Sequence, residues 1–281
     1  MLSYRHAFHA GNHADVLKHL VLLQLLDYMR RKDKPFWYID THAGAGAYSL
    51  TEGFATRNAE FDTGIARLWD DDCPPKAVAR YLDLIRQLNA NGSLAFYPGS
   101  PWLALQVMRD ADRARLFELH PADQALLQAN TADADQRAKV SYEDGFAGIK
   151  ALLPPPSRRA VVLIDPSYED KKDYQRIQDS LQQSLKRFGS GCYAIWYPLL
   201  QRVEARMVAD RLKTVAGNNW LDVSLTVHTP RAGGFGMHGS GMFIVNPPFI
   251  LPDTLRIVMP YLVERLGQDG GAGFVLDSRI E

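Results

Sequence analysis

Residues 160–164, Ala-Val-Val-Leu-Ile, run without a polar interruption into Asp165-Pro166-Ser167-Tyr168-Glu169. A short continuous run of mostly branched apolar side chains fits a strand covered on both faces, as in a parallel sheet flanked by helices. Pro166 cannot donate to a sheet ladder, so the strand must stop there and turn. A carboxylate, a free peptide carbonyl and an aromatic ring are then expected at the carboxyl end of a central strand. Open α/β sheets bind their ligands at that edge.

The chemistry open to those groups is narrow. An amino group on an aromatic base is a poor nucleophile, because its lone pair is delocalised into the ring. Two acceptors side by side can take both of its N–H bonds and favour a more tetrahedral nitrogen, whose lone pair then points at an electrophile. Asp165 supplies one acceptor and the Pro166 carbonyl the other, while Tyr168 can stack on the base. The competing structural reading is a plain strand–turn–helix junction in which Asp165 only caps the next helix. Four residues alone do not decide between the two.

The rest of the chain repeats the alternation. Phe36–Asp40 reads as a strand ending in Asp40-Thr41-His42-Ala43-Gly44-Ala45-Gly46, small residues that let the backbone approach a ligand closely. No Gly-Lys-Ser/Thr comes after it, which excludes a P-loop, and Tyr48-Ser49 stand where a dinucleotide site would have its third glycine. Arg115–Glu118 and Lys139–Gly145 read as strands two and three, both ending in acids; residues 191–198 form strand five. Residues 221–228 and 242–247 make strands six and seven, a hairpin. Residues 51–113 break the alternation: Asp62–Trp69, Pro75–Ala90 and Pro101–Asp110 look helical, and Phe96–Ser100 looks like a tight turn. The expectation is one α/β domain over residues 1–281, a doubly wound seven-stranded sheet ending in an antiparallel hairpin, with a mostly helical insertion at 51–113 after the first strand.

Composition limits the functions available. Lys plus Arg equals Asp plus Glu, so the formal net charge is zero and indiscriminate nucleic-acid binding is not expected; any RNA or DNA contact needs a local basic patch. Cys73 and Cys192 make no disulfide framework. The N-terminus lacks a signal-peptide core, and the apolar stretch Val16–Leu26 is broken by Lys18, His19 and Gln24. A cytoplasmic monomer without a membrane partner is expected. The N-terminal helix is capped by Asn12 or Asp15, carries Arg30, Arg31 and Lys32 in its last turn and is closed by Pro35. His6, His9, His13 and His19 precede or enter it, but their spacing matches no zinc pattern, so a polar ligand-facing segment is expected and no metal.

Four motifs now stand in chain order, and together they resemble the class I S-adenosylmethionine-dependent amino-methyltransferases that carry an Asp-Pro-Pro-Tyr type motif. More closely, Tyr4-Arg5-His6-x-Phe8-His9-Ala-Gly-Asn-His13-Ala-Asp-Val-Leu-Lys18-His19, joined to Asp40-Thr-His-Ala-Gly-Ala-Gly46, is similar to the bacterial 23S ribosomal RNA adenine-N6 methyltransferases of the RlmJ type. The likeness spans essentially the whole chain, insertion included. It implies S-adenosylmethionine as cofactor and a specific adenine of 23S ribosomal RNA as substrate. By that resemblance, Asp40 to Gly46, with Gly44 and Gly46, pack around the methionine part, and Lys18, His19, His42 and Ser100 lie near its carboxylate and amine. Glu118 takes the ribose hydroxyls; Asp144 recognises the cofactor's adenine amine, with Glu143 and Gly145 beside it. Asp165, Pro166 and Tyr168 are the implied catalytic set, with Asp165 also near the cofactor, and Tyr4, Arg5 and His6 lie against the RNA.

Ser167 departs from the family tetrad, which has a second Pro there, and so loosens the turn. Asn246-Pro-Pro-Phe249 matches the tetrad better, but it comes after the last hairpin strand; that strand should be an antiparallel edge strand, ending on the side away from the cofactor. Two other readings remain open on sequence: a DNA adenine-N6 methyltransferase, and a ribosome-assembly RNA-binding protein without turnover.

Overall fold

The computed structural model describes residues 5–231, 233 and 236–280. Among them are strands β1 (Trp37–Asp40), β2 (Ala47–Ser49), β3 (Phe96–Pro98), β4 (Arg113–Phe117), β5 (Ala138–Ser141), β6 (Ala160–Ile164), β7 (Cys192–Leu199), β8 (Trp220–Thr226), β9 (Gly239–Val245) and β10 (Gly273–Arg279). The helices are α1 (His13–Arg30), α2 (Ala55–Asn58), α3 (Ala66–Trp69), α4 (Lys76–Leu88), α5 (Ser100–Val107), α6 (Pro121–Asn130), α7 (Gly145–Leu152), α8 (Lys172–Arg187), α9 (Val203–Arg206), α10 (Val208–Ala216) and α11 (Leu251–Leu266). None is long and apolar enough to cross a membrane.

Eight strands form the main sheet in the order β10-β8-β9-β7-β6-β1-β4-β5. The five from β7 to β5 are parallel, and β9, β8 and β10 add on antiparallel. All five residues of β6 are buried, and they divide between the two faces. Val161 and Leu163 join the core beneath α1, α5 and α11, while Val162 and Ile164 join the core beneath α7, α8 and α10. A strand with helices on both sides has no solvent face, which is why its sequence lacks polar alternation.

Helix α1 is apolar nearly all round because it lies between the sheet and helices α4 and α5. Asn12 caps it, accepting the N–H groups of Ala14 (2.9 Å) and Asp15 (3.0 Å). Asp15 is therefore not the cap and is left for other bonds.

Three expectations are corrected. The sheet has eight strands, not seven: β10 was hidden because it is an outer strand with most side chains exposed, so no core-facing pattern marks it, and Gly270, Gly271 and Gly273 at its start resemble a loop. Phe96–Pro98 is not a tight turn but β3, paired with β2 in a second small sheet. Finally, the strand before Asn246 is antiparallel as expected but is no edge strand, since β7 and β8 flank β9. Asn246 donates its amide to the carbonyls of Gly189 (2.8 Å) and Gly191 (2.7 Å), at the amino end of β7. That is the opposite edge from Asp165, and Phe249 beyond it is 68% exposed.

Candidate active site

One large cavity, about 1090 Å³, opens at the carboxyl edge of β1, β4, β6 and β7. It is lined by both halves of the sequence: His6, Lys18 and His19 from the N-terminal segment, the turn Thr41–Gly44 after β1, Glu118 after β4, and Asp165 to Tyr168 after β6. Thr41 fastens the ends of β1 and β6 together, its N–H and its hydroxyl both donating to the Leu163 carbonyl at 3.1 Å.

At the centre is a chain of charge. Lys18 donates from Nζ to Asp165 Oδ2 at 2.7 Å and lies 2.8 Å from Asp15 Oδ1. Asp15 Oδ2 in turn accepts the Gly11 N–H (3.0 Å) and sits 2.9 Å from His6 Nε2. Side-chain exposures of 5% for Lys18, 1% for Asp15 and 13% for Asp165 put the chain largely out of water. Burial opposes the charge on Lys18, yet Asp15 and Asp165 hold it above the ordinary lysine range. Burial likewise opposes the charge on Asp15, but His6 and Lys18 keep it well below the usual carboxylate range. Asp165 differs: burial wins and pushes it up, with Lys18 pulling the other way. Pro166 beside it accepts no backbone hydrogen bond among the described residues, so its carbonyl is available.

Tyr168 has a left-handed backbone (φ 57°) and is only 1% exposed. Its hydroxyl donates to the Trp196 carbonyl, and its ring meets those of Tyr174 (4.8 Å) and Trp196 (5.7 Å). The ring that lines the cavity is thus fixed from behind.

The opposite half of the cavity is built from backbone held by acids. Gly44, at φ +62°, donates its N–H to Glu118 Oε2 at 2.8 Å, and His120 N–H donates to Oε1 at 2.7 Å. Burial pushes Glu118 up while these amides oppose it. Asp40, wholly buried, is pushed up to about 6 by burial and accepts from Tyr38 Oη (2.6 Å) and Ser100 Oγ (2.7 Å). Burial pushes His42 down to about 4, and it meets the Phe146 ring at 5.0 Å.

Gly145 must be glycine, because a Cβ there would stand 2.1 Å from the Thr41 carbonyl oxygen. Gly145→Ala should cost about 2–3 kcal/mol and lower Tm by roughly 6 °C, checked by calorimetry without ligand.

Several expected residues stand elsewhere. Gly46 does not line the cavity; its carbonyl accepts the Gly99 N–H at 2.8 Å. Nor do Glu143 and Asp144. Asp144 caps α7, accepting the Phe146 N–H at 2.9 Å, and its other oxygen is taken by Arg176, which does line the cavity. Arg5 is set back from the lining, against Phe54. Tyr4 lies outside the described residues.

The four N-terminal histidines have separate surroundings. His6 pairs with Asp15, His9 Nδ1 lies 2.9 Å from Glu60 Oε1, and His19 bonds Tyr97 Oη at 2.9 Å. His13 is buried, which pushes it down to about 4; His19 is pushed to about 3 for the same reason. Among the described residues no group of three His, Cys, Asp or Glu side chains is arranged to hold a metal ion.

A family model described as "Ribosomal RNA large subunit methyltransferase D, RlmJ" matches residues 33–276. The chain belongs to this RlmJ family. It is 42% identical over 278 residues to the "Ribosomal RNA large subunit methyltransferase J" of Haemophilus influenzae, covering 99% of this chain and 98% of that one. It is 44% identical over 266 residues to the Escherichia coli K12 protein of the same name, covering 95% and 94%. A crystal structure of a Legionella pneumophila protein superposes with a TM-score of 0.90 at 33% identity, covering 96% of this chain and 98% of that one.

For an RlmJ-family member, sequence reasoning missed Asp15, Trp196 and Arg176 as parts of the site. Asp15 carried a signal: a carboxylate three residues before Lys18 on an otherwise apolar helix is a pair that burial will enforce. Trp196 and Arg176 carried none, since each is placed by distant packing.

Proposed function

We propose that this chain transfers a methyl group from S-adenosylmethionine to N6 of an adenine in the large-subunit 23S ribosomal RNA. The observation that carries the reading is the pairing of Asp165 with the Pro166 carbonyl, which accepts no backbone hydrogen bond among the described residues, inside the cavity that the turn Thr41–Gly44 and Glu118 also line. The residues fit the cofactor. Gly44 and Gly145 keep the backbone lean at its end of the cavity, and Glu118 offers an ionisable acceptor suited to a ribose diol. Ser100, His42 and Lys18 would face its methionine part. When bound, the cofactor supplies an electrophilic methyl on a sulfonium.

The protein's share is positioning. A flipped adenine presents two N–H bonds, one to Asp165 and one to the Pro166 carbonyl, which turns the nitrogen lone pair toward the donor. Lys18 holds Asp165 Oδ2 and leaves Oδ1 for the amine. Tyr168, buttressed by Tyr174 and Trp196, keeps the base in plane. Once methylated, N6 must shed a proton. Asp165, with its affinity for protons raised by burial, receives it. Ser167 contributes no acceptor to this scheme, so its departure from Pro leaves the chemistry in place.

The test is incubation with labelled donor and, separately, 23S RNA, 16S RNA and duplex DNA, followed by nucleoside mass analysis. N6-methyladenosine in 23S RNA is expected; label in DNA alone, or none, overturns the reading. Glu118→Ala should weaken S-adenosylmethionine binding roughly 30-fold by calorimetry, about 2 kcal/mol for lost charge-assisted hydrogen bonds.

A further inference from the structure

The N-terminal turn and the insertion are fastened together at the rim of the cavity. Ile65 donates its N–H to the Gly11 carbonyl at 2.8 Å, Asn12 donates to Glu60 Oε2 at 2.9 Å, and the rings of Phe8 and Phe54 meet at 4.7 Å. Onto the Phe54 ring come two guanidiniums: Arg5 Cζ lies 5.0 Å from its centroid and Arg57 Cζ 5.4 Å, both within cation–π range. Neither arginine forms an ion pair among the described residues. Glu60, an acid close by in sequence, is already held by His9 and Asn12. A chain of zero formal charge has therefore gathered two cations on one ring without a counter-ion. Arg5 directly precedes His6, and Phe8, against which Phe54 packs, directly precedes His9; His6 and His9 both line the cavity, so the pair lies beside that lining without being part of it.

We propose that Arg5 and Arg57, mounted on Phe54, form a phosphate clamp that grips the RNA backbone beside the adenosine entering the cavity. The proposal rests on the RNA-methylation reading above and adds the contact that supplies affinity. With two guanidiniums already against it, the Phe54 ring is no free platform for a base. What it presents is their N–H donors, whose planar forks match phosphate oxygens. It also gives a neutral protein a local pair of cations with which to hold RNA.

The test measures binding of transcribed 23S RNA at several salt concentrations for the unaltered protein and for Arg57→Ala, Arg5→Ala, Arg57→Lys and Phe54→Leu. Each alanine variant should weaken RNA binding about tenfold and reduce the slope of log K against log salt by roughly 0.7, one phosphate contact on a single strand. KM for RNA should rise with little change in kcat, and affinity for S-adenosylmethionine should stay as it was. Arg57→Lys should recover part of the loss, whereas Phe54→Leu should lose affinity with both charges kept. Unchanged RNA affinity and salt slope in both alanine variants, with Tm unchanged, overturns the clamp even if 23S RNA is methylated. Loss of RNA affinity in a protein that methylates no RNA would instead overturn the functional reading and leave the clamp standing.

Discussion

Asp165→Asn is expected to reduce the single-turnover rate of methyl transfer by about three orders of magnitude, within the usual span for a positioned acid–base group. Asparagine keeps the size and one carbonyl acceptor, so the cavity should keep its shape. Two things are lost together. The amide cannot take the proton that the proposed mechanism hands to Asp165, and it no longer holds Lys18 by charge, so nothing stops its own NH₂ from facing the incoming amine. Affinity for the methyl donor should change far less than the rate, in contrast to Glu118→Ala, where affinity changes first. A purified Asp165→Asn protein that methylates 23S RNA at the unaltered rate would remove Asp165 from the chemistry.

Much of this site could be seen in the sequence because its parts end strands. Apolar runs such as residues 160–164 announce buried strands, and the polar residues after them must sit at the ligand edge; Asp165, Glu118 and Thr41 to Gly44 are all placed by that rule. The rule cannot supply which partner each acid finds. Asp144 ends its strand region as expected, but its oxygens go to the α7 cap and to Arg176, 32 positions away. Lys18 meets Asp165 across 147 positions of chain, a pairing that only the packing of α1 against the sheet produces. β10 escaped for a related reason: its place is set by hydrogen bonds to β8, and an outer strand needs no apolar pattern to take it. Periodicity reports burial. It does not report pairing.

Lys18→Met should reveal how the charge chain divides its work between stability and rate. Methionine fills similar volume, so the main loss is the cation shared by two buried carboxylates. Removing one partner from a buried ion pair costs about 3–5 kcal/mol, and Asp15 softens this only through His6 and the Gly11 N–H. Asp165, already pushed up by burial, loses the group that pulled it down and rises further. Two consequences then run in opposite directions with pH. In the proposed mechanism the rate needs ionised Asp165, so the acid limb of the pH–rate profile should move to higher pH, and activity should recover partly as pH rises. Stability does the reverse, because a carboxyl whose folded pKa is raised is least costly while protonated. The variant's deficit should therefore be smallest below the ordinary aspartate range and grow as pH climbs through the raised value. In the unaltered protein Lys18, held above the usual lysine range, stays charged throughout and makes both effects smaller, because it opposes the upward push of burial on Asp165. Denaturant melts and single-turnover rates from about pH 5 to about pH 9 would check both limbs, since the groups concerned titrate there or below. A variant whose rate profile and stability difference are both flat across that range would mean that Lys18 does not govern the ionisation of Asp165.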